Sequence, residues 1–289
     1  MVQSLTDRGG SAAAIQHHYD VSNEFYALWL DSSLTYSCGF WDDANLDDNL
    51  EQSQLKKIDW HLKASGATNA KRLLDIGCGW GALMRRYLSL DPDNCATGLT
   101  LSHKQYEHIR SLDIPNLQVC EQSWIVHQPT SSYDAIASIG AFEHFAQPGA
   151  SSEEKISVYR EFFSRCQQWL KPQGKLSLQT IAYGSLHAEN KNTFTQTEIF
   201  PDSELPRPGE IFVAADGLFE IETYRNDRTQ YGKTCDLWLK NLRRQKATIT
   251  RQFGAELYQK YEQYLKLAVV GFYFGQILLL RFEMRSLSK

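Results

Sequence analysis

The sequence predicts an α/β protein, an open parallel sheet with helices on both faces. Three observations carry this reading. Strand and helix signals alternate between residues 72 and 181, the pattern of a parallel sheet wound on both sides. One buried strand, Arg72-Leu73-Leu74-Asp75-Ile76, runs straight into a glycine turn, Gly77-Cys78-Gly79-Trp80-Gly81. The chain has 289 residues and 42% hydrophobic content, enough for a large core.

Taken in order, residues 1–70 read as a polar, helical N-terminal cover with interspersed aromatics. Within it, residues 47–64 place Leu50, Leu55, Ile58 and Leu62 at helical spacing, and Gly66 closes that helix. Residues 71–289 form the main domain. Strand 72–76 is followed by helix 80–90, strand 95–99, helix 101–112 and strands 117–120 and 133–139. An amphipathic helix over 153–170 stops at Lys171-Pro172-Gln173-Gly174, before a fifth strand at 175–181. Residues 183–212 are polar and contain prolines, which suits a lid. A strand at 219–224, a helical stretch at 234–264 and a last strand at 276–284 complete the chain. The apolar run 267–280 is interrupted by Gln276 and bounded by Lys266 and Arg281. A membrane span needs about 20 apolar residues, so the run reads as helix end, turn and buried strand.

Composition narrows the function classes. Thirty Lys and Arg against 34 Asp and Glu leave a net charge of −4, which gives no electrostatic case for nucleic acid. Six cysteines at 38, 78, 95, 120, 166 and 235 contain no Cys-x-x-Cys pair, and a chain this long is no disulfide-dense module. The N-terminus lacks the apolar region of a signal peptide. A cytoplasmic protein without integral membrane association is the expectation. His17, His18 and His144 have no carboxylate or Cys at ligand spacing, so no metal is expected.

The glycine turn is the strongest local signal. Glycines allow a sharp turn and a close ligand, and the following helix offers free N–H groups. The spacing is Gly-x-Gly-x-Gly, unlike the dinucleotide fingerprint, and the Lys-Ser/Thr of a phosphate loop is missing. Asp75 stands ready to order the loop or hold a cationic group. The second strand ends in Gly98-Leu99-Thr100-Leu101-Ser102 without a carboxylate, so Thr100 and Gln105 are the nearby groups that can bond a ribose.

The turn resembles motif I of class I S-adenosylmethionine (SAM) methyltransferases. Further segments stand in order along the chain: His18-Tyr19-Asp20-Val21-Ser22-Asn23-Glu24-Phe25-Tyr26, Leu34-Thr35-Tyr36-Ser37-Cys38-Gly39-Phe40, Ser138-Ile139-Gly140-Ala141-Phe142-Glu143-His144-Phe145, Glu198-Ile199-Phe200-Pro201 and Tyr231-Gly232-Lys233-Thr234-Cys235-Asp236-Leu237-Trp238. Together they resemble the cyclopropane fatty acid synthase family, and most of all its mycolic acid methyltransferase branch.

The resemblance implies a Rossmann-like class I methyltransferase sheet with a helical N-terminal cover and a lid after the fifth strand. It implies SAM as methyl donor, surrounded by Tyr36, Ser37, Asp75, Gly77, Gly79, Thr100, Leu101, Gln105, Trp124 and Ile139. It further implies that an alkene carbon of an apolar acceptor takes the methyl, with deprotonation assisted by bicarbonate or a Glu. Cys38, Glu143, Gln179, Tyr231 and the backbone near Ile139 match the family's bicarbonate positions. Gln179 departs from the pattern, standing where the family usually has His. An amide can donate to an anion but cannot titrate. The acceptor is expected to be an apolar small molecule or a carrier-bound acyl chain. The alternative is a C- or N-methyltransferase of secondary metabolism on the same scaffold. Tyr36, Phe40, Phe142, Tyr231 and Trp238 fall in these motifs, and aromatic faces suit a reaction that passes through positive charge.

Overall fold

The strand that leads into the glycine turn sits at the middle of the sheet. In the computed structural model, which describes residues 22–42, 49–186 and 204–287, β1 (Arg72–Ile76) pairs in parallel with β2 (Cys95–Thr100) on one side and β4 (Tyr133–Ile139) on the other. β3 (Leu117–Glu121) flanks β2, and β5 (Leu170–Tyr183) flanks β4, both in parallel. β7 (Ile277–Ser286) runs antiparallel to β5 and to β6 (Phe219–Asn226). The order is β3-β2-β1-β4-β5-β7-β6. It reverses between β1 and β4, and the carboxyl ends of these strands open the crevice where such sheets take ligands. His17, His18, Tyr19 and the rest of the first 21 residues, together with residues 187–203 of the expected lid, lie outside the described residues.

Helices α1 (Asn23–Ala27) and α2 (Leu50–Ala64) precede the sheet. α3 (Ala82–Leu88), α4 (His103–Ser111) and α5 (Ser152–Trp169) connect its parallel strands. α6 (Pro208–Ala215), α7 (Arg228–Arg244), α8 (Lys246–Phe253) and α9 (Ala255–Tyr273) follow β5. Local chemistry sets the starts of the longer helices. Asn49 with Gln52 and Ser151 with Glu154 form reciprocal capping boxes for α2 and α5. α5 then buries Tyr159, Phe162, Phe163 and Cys166 against the sheet. A second core, rich in aromatic rings, joins α1, α7 and α9.

Three expectations need correction. The helical stretch expected at 234–264 is three helices running from 228 to 273: Gln245, at φ −94, ψ 8, separates the first two, and Gly254, at φ 93, ψ 155, separates the last two, in a region essentially closed to side chains. Leu55 is 47% exposed; the buried face of α2 instead carries Ser53, Gln54, Lys57 and His61 beside Leu50, Ile58 and Leu62. β5 begins directly after α5, so the turn residues 171–174 lie within the strand, where Gln173 takes φ 63. The apolar run 267–280 is the end of α9, a turn and β7, as the sequence suggests. None of the described helices is long and apolar enough to cross a membrane.

Replacing Gly254 by Ala is expected to destabilise the fold by about 1–3 kcal/mol, the usual cost of forcing a side chain into such a backbone region. Urea denaturation of the variant beside the parent checks it.

Candidate active site

The glycine turn folds back on the sheet. The Gly77 and Cys78 amides both donate to the Leu99 carbonyl, at 2.9 and 3.0 Å. Gly77 has φ 78, and a Cβ there would sit 2.4 Å from the Ala141 side chain. Gly79 has φ 55 and open space where a side chain would stand, so a ligand can approach its backbone. The cleft above this turn is lined by Tyr36, Ser37, Asp75, Gly77, Gly79, Thr100, Leu101, Gln105, Trp124 and Ile139, all ten positions expected around the cofactor.

Thr100 and Gln105 act as a unit. The Thr100 hydroxyl donates to Gln105 Oε1 at 2.7 Å, which leaves the amide N–H groups of Gln105 to serve a ligand. Lys57, Gln122, Ser123 and His144 also line the cleft, and sequence reasoning missed all four. The segment that brings Tyr36 and Ser37 over the cleft is fixed from α2: Gln54 donates to the Ser37 carbonyl at 2.9 Å and Lys57 to the Ser37 hydroxyl at 2.9 Å. Burial pushes His144 down to about 4, so this imidazole is neutral near pH 7.

The four expected catalytic residues do not line this cleft. Cys38, Glu143, Gln179 and Tyr231 are buried, and the Cys38 thiol and Glu143 carboxyl both lie within electrostatic reach of the Tyr231 phenol. Arg281, fully buried on β7, ties three of them together. Its Nε donates to Gln179 Oε1 at 2.8 Å. Its Nη2 donates to the Cys38 and Gly39 carbonyls at 3.2 and 3.0 Å. Its Nη1 pairs with Asp227, whose carbonyl accepts from the Tyr231 amide at 3.2 Å. Phe40 and Trp60 flank the guanidinium at 5.3 and 6.0 Å.

Arginine only donates, so the atom of Gln179 that faces it is the oxygen. His61 Nε2 lies 3.3 Å from the same oxygen, and its Nδ1 lies 2.7 Å from Ser177 Oγ. Burial holds the His61 imidazole well below its usual range. The neutral ring therefore carries its proton on Nε2 and accepts from Ser177. With its oxygen occupied twice, Gln179 has only its N–H groups left to offer.

Glu143 follows β4 in a 3₁₀ turn. Its Oε1 accepts from the Ile181 amide at 2.6 Å, while its buried Oε2 has no partner. Burial raises the carboxyl to about 7, where a carboxyl can exchange protons near neutrality. Burial also raises the Cys38 thiol to about 11 and the Tyr231 phenol well above its usual range. Cys38 is thus a neutral thiol and not a reactive thiolate. Among the described residues no group of three or more His, Cys, Asp or Glu side chains could hold a metal.

The profile of the family described as mycolic acid cyclopropane synthetase matches residues 7–282. The chain belongs to this family. The cyclopropane mycolic acid synthase MmaA2 of Mycobacterium tuberculosis is 34% identical over 280 residues, covering 89% of this chain and 93% of that protein. The solved MmaA2 structure superposes with a TM-score of 0.84 at 32% identity, over 97% of this chain and all of that one. The cyclopropane synthase CmaA1, solved with S-adenosylhomocysteine (SAH) and CTAB, gives 0.83 at 32% identity over 95% and 98% of the two chains. The fold is that of the SAM-methyltransferases, and this cyclopropane synthetase family member is a SAM-dependent methyltransferase.

Replacing Arg281 by Met should cost roughly 1–3 kcal/mol, because Gln179 Oε1 and the Cys38 and Gly39 carbonyls lose a buried donor while Asp227 keeps its pair with Arg225 at 2.9 Å. The double variant Arg281→Met with Asp227→Asn should recover little of that loss, because Arg225 then loses its carboxylate partner. Urea denaturation of both variants measures it.

Proposed function

We propose that this enzyme transfers the SAM methyl to an alkene carbon of an apolar acyl chain, free or carrier-bound, and that loss of a proton then gives the ring-closed or methylated product. The observation that carries the proposal is the unpartnered Glu143 Oε2, buried with Cys38, Gln179 and Tyr231. Residues 1–70 and 183–212 are read as the cover and lid of this site. Six free cysteines suit a reducing cytoplasm.

The cleft residues fit SAM. Gly79 leaves its backbone open, Gln105 offers N–H donors, and Asp75 and Lys57 bring charge of both signs. When bound, SAM supplies an electrophilic methyl group. Tyr36 and Trp238, with ring centres 5.2 Å apart, supply aromatic faces that favour positive charge and exclude water from it. Glu143 accepts or holds a proton at Oε2. The N–H groups of Gln179 and a protonated Glu143 also suit a small anion such as hydrogencarbonate, in spite of the missing His.

Incubation with SAM and unsaturated acyl acceptors is expected to give a product heavier by one methylene, read by mass spectrometry. If no acyl acceptor reacts while small amines or phenols are methylated, the secondary-metabolite reading replaces this one. Glu143→Gln should lower kcat by about 10²–10⁴-fold and leave SAH binding unchanged.

As a base, Glu143 works only when ionised. Its carboxyl is raised to about 7, so kcat should rise as pH climbs through about 7, and this limb should vanish in the Gln variant. If a protonated Glu143 instead holds hydrogencarbonate, the rate should fall over the same window and should drop in CO₂-free buffer.

A further inference from the structure

His61 has no part in the chemistry above. Its ring is fully buried on the inward face of α2, where Trp60 packs edge-on against it at 4.8 Å. Ser177 Oγ donates to its Nδ1 at 2.7 Å, which leaves the ring proton on Nε2, 3.3 Å from Gln179 Oε1. Arg281 Nε donates to the same oxygen at 2.8 Å. An amide oxygen has two lone pairs and takes both donors, whereas an imidazole has one acceptor nitrogen and takes one. The Gln179 amide cannot turn over without setting its N–H groups against both donors. Its main chain is held as well, the carbonyl accepting from the Gly140 amide at 2.9 Å, in the turn that leads to Glu143. A ring needed only to fill this space would cost less to bury as an apolar side chain.

We propose that His61 is a positioning residue for the reaction: with its tautomer set by Ser177, it locks the Gln179 amide so that the N–H groups face Cys38, Glu143 and Tyr231. Donors from two elements, α2 and β7, then hold one side chain of β5. His61 and Gln179 form a matched pair, because only the amide oxygen accommodates His61 and Arg281 together. The proposal rests on Gln179 serving the methyl transfer proposed above.

The test is kcat, measured with whichever acceptor the parent methylates. His61→Leu is expected to lower kcat about 10-fold, the scale of one lost buried hydrogen bond, and to leave SAH affinity within about 2-fold, which also reports a folded cleft. His61→Gln keeps an N–H donor for Gln179 and should stay within about 3-fold of the parent. Gln179→His leaves one acceptor nitrogen for two donors and should lose about as much as His61→Leu. The double variant His61→Leu with Gln179→His relieves that conflict and should regain most of the loss. Additive losses would overturn the proposal, as would an unimpaired His61→Leu beside an impaired Gln179→Leu. If Gln179→Leu is itself unimpaired, the role of Gln179 in the reaction falls, and this proposal with it. Should the His61 variants fail to fold, ¹⁵N NMR of the histidine-labelled parent decides without any acceptor. A His61 ring protonated on Nε2 and bare at Nδ1 is expected at neutral pH, and the opposite tautomer or a doubly protonated ring would overturn the proposal.

Discussion

The site depends on one buried guanidinium. Arg281 has no exposure to solvent, and its donors reach Gln179 on β5, the carbonyls of Cys38 and Gly39, and Asp227 at the start of α7. Each of these lies on a different part of the chain. Burying such a charge is unfavourable unless every donor is met, so the contacts hold together or fail together. Those contacts tie the N-terminal segment and α7 to the sheet.

Apart from Arg281, Arg225 and Asp227, the surroundings of Cys38, Gln179 and Tyr231 are electrically quiet. The Cys38 thiol, the Tyr231 phenol and the His61 ring are all held in neutral form by burial. Glu143 is poised between its two states near neutrality. Lys57 and Asp75 stand instead on the neighbouring cleft. Residues 36–38 link the two regions, with Tyr36 and Ser37 on the cleft and the Cys38 carbonyl bonded to Arg281.

Much of this was legible in the sequence, and the parts that were not share a cause. The alternating pattern from 72 to 181 and the glycine turn gave the sheet and its crevice because both depend on local spacing. Seven of the ten cleft residues followed because motifs concentrate in and after β1, β2 and β4; Tyr36 and Ser37, from the segment before α2, and Trp124, after β3, rested on the family resemblance. Lys57, His61 and Arg281 escaped notice because each looks ordinary in its own segment. Lys57 and His61 alternate with Leu and Ile on α2 and read as a solvated face. Arg281 reads as the polar end of an apolar run. Their partners are far away in sequence: His61 meets Ser177, and Arg281 meets Cys38. Periodicity reports which face of a helix is apolar, but it cannot report that a polar face has been folded inward against a site. The break at Gly254 was missed for a related reason, since the apolar positions continue on either side of it.

The position of Arg281 along the chain also bears on how the protein is made. Synthesis runs from the N-terminus, and domains gain structure as they emerge. The parallel strands β1 to β5 can pair once residue 183 is free of the ribosome. The guanidinium that joins Cys38, Gln179 and Asp227 arrives only with β7, almost 100 residues later. Until then the nascent chain carries the glycine-turn cleft without the guanidinium that braces Cys38 and Gln179. The antiparallel insertion of β7 between β5 and β6 thus makes this brace one of the last things the growing polypeptide acquires.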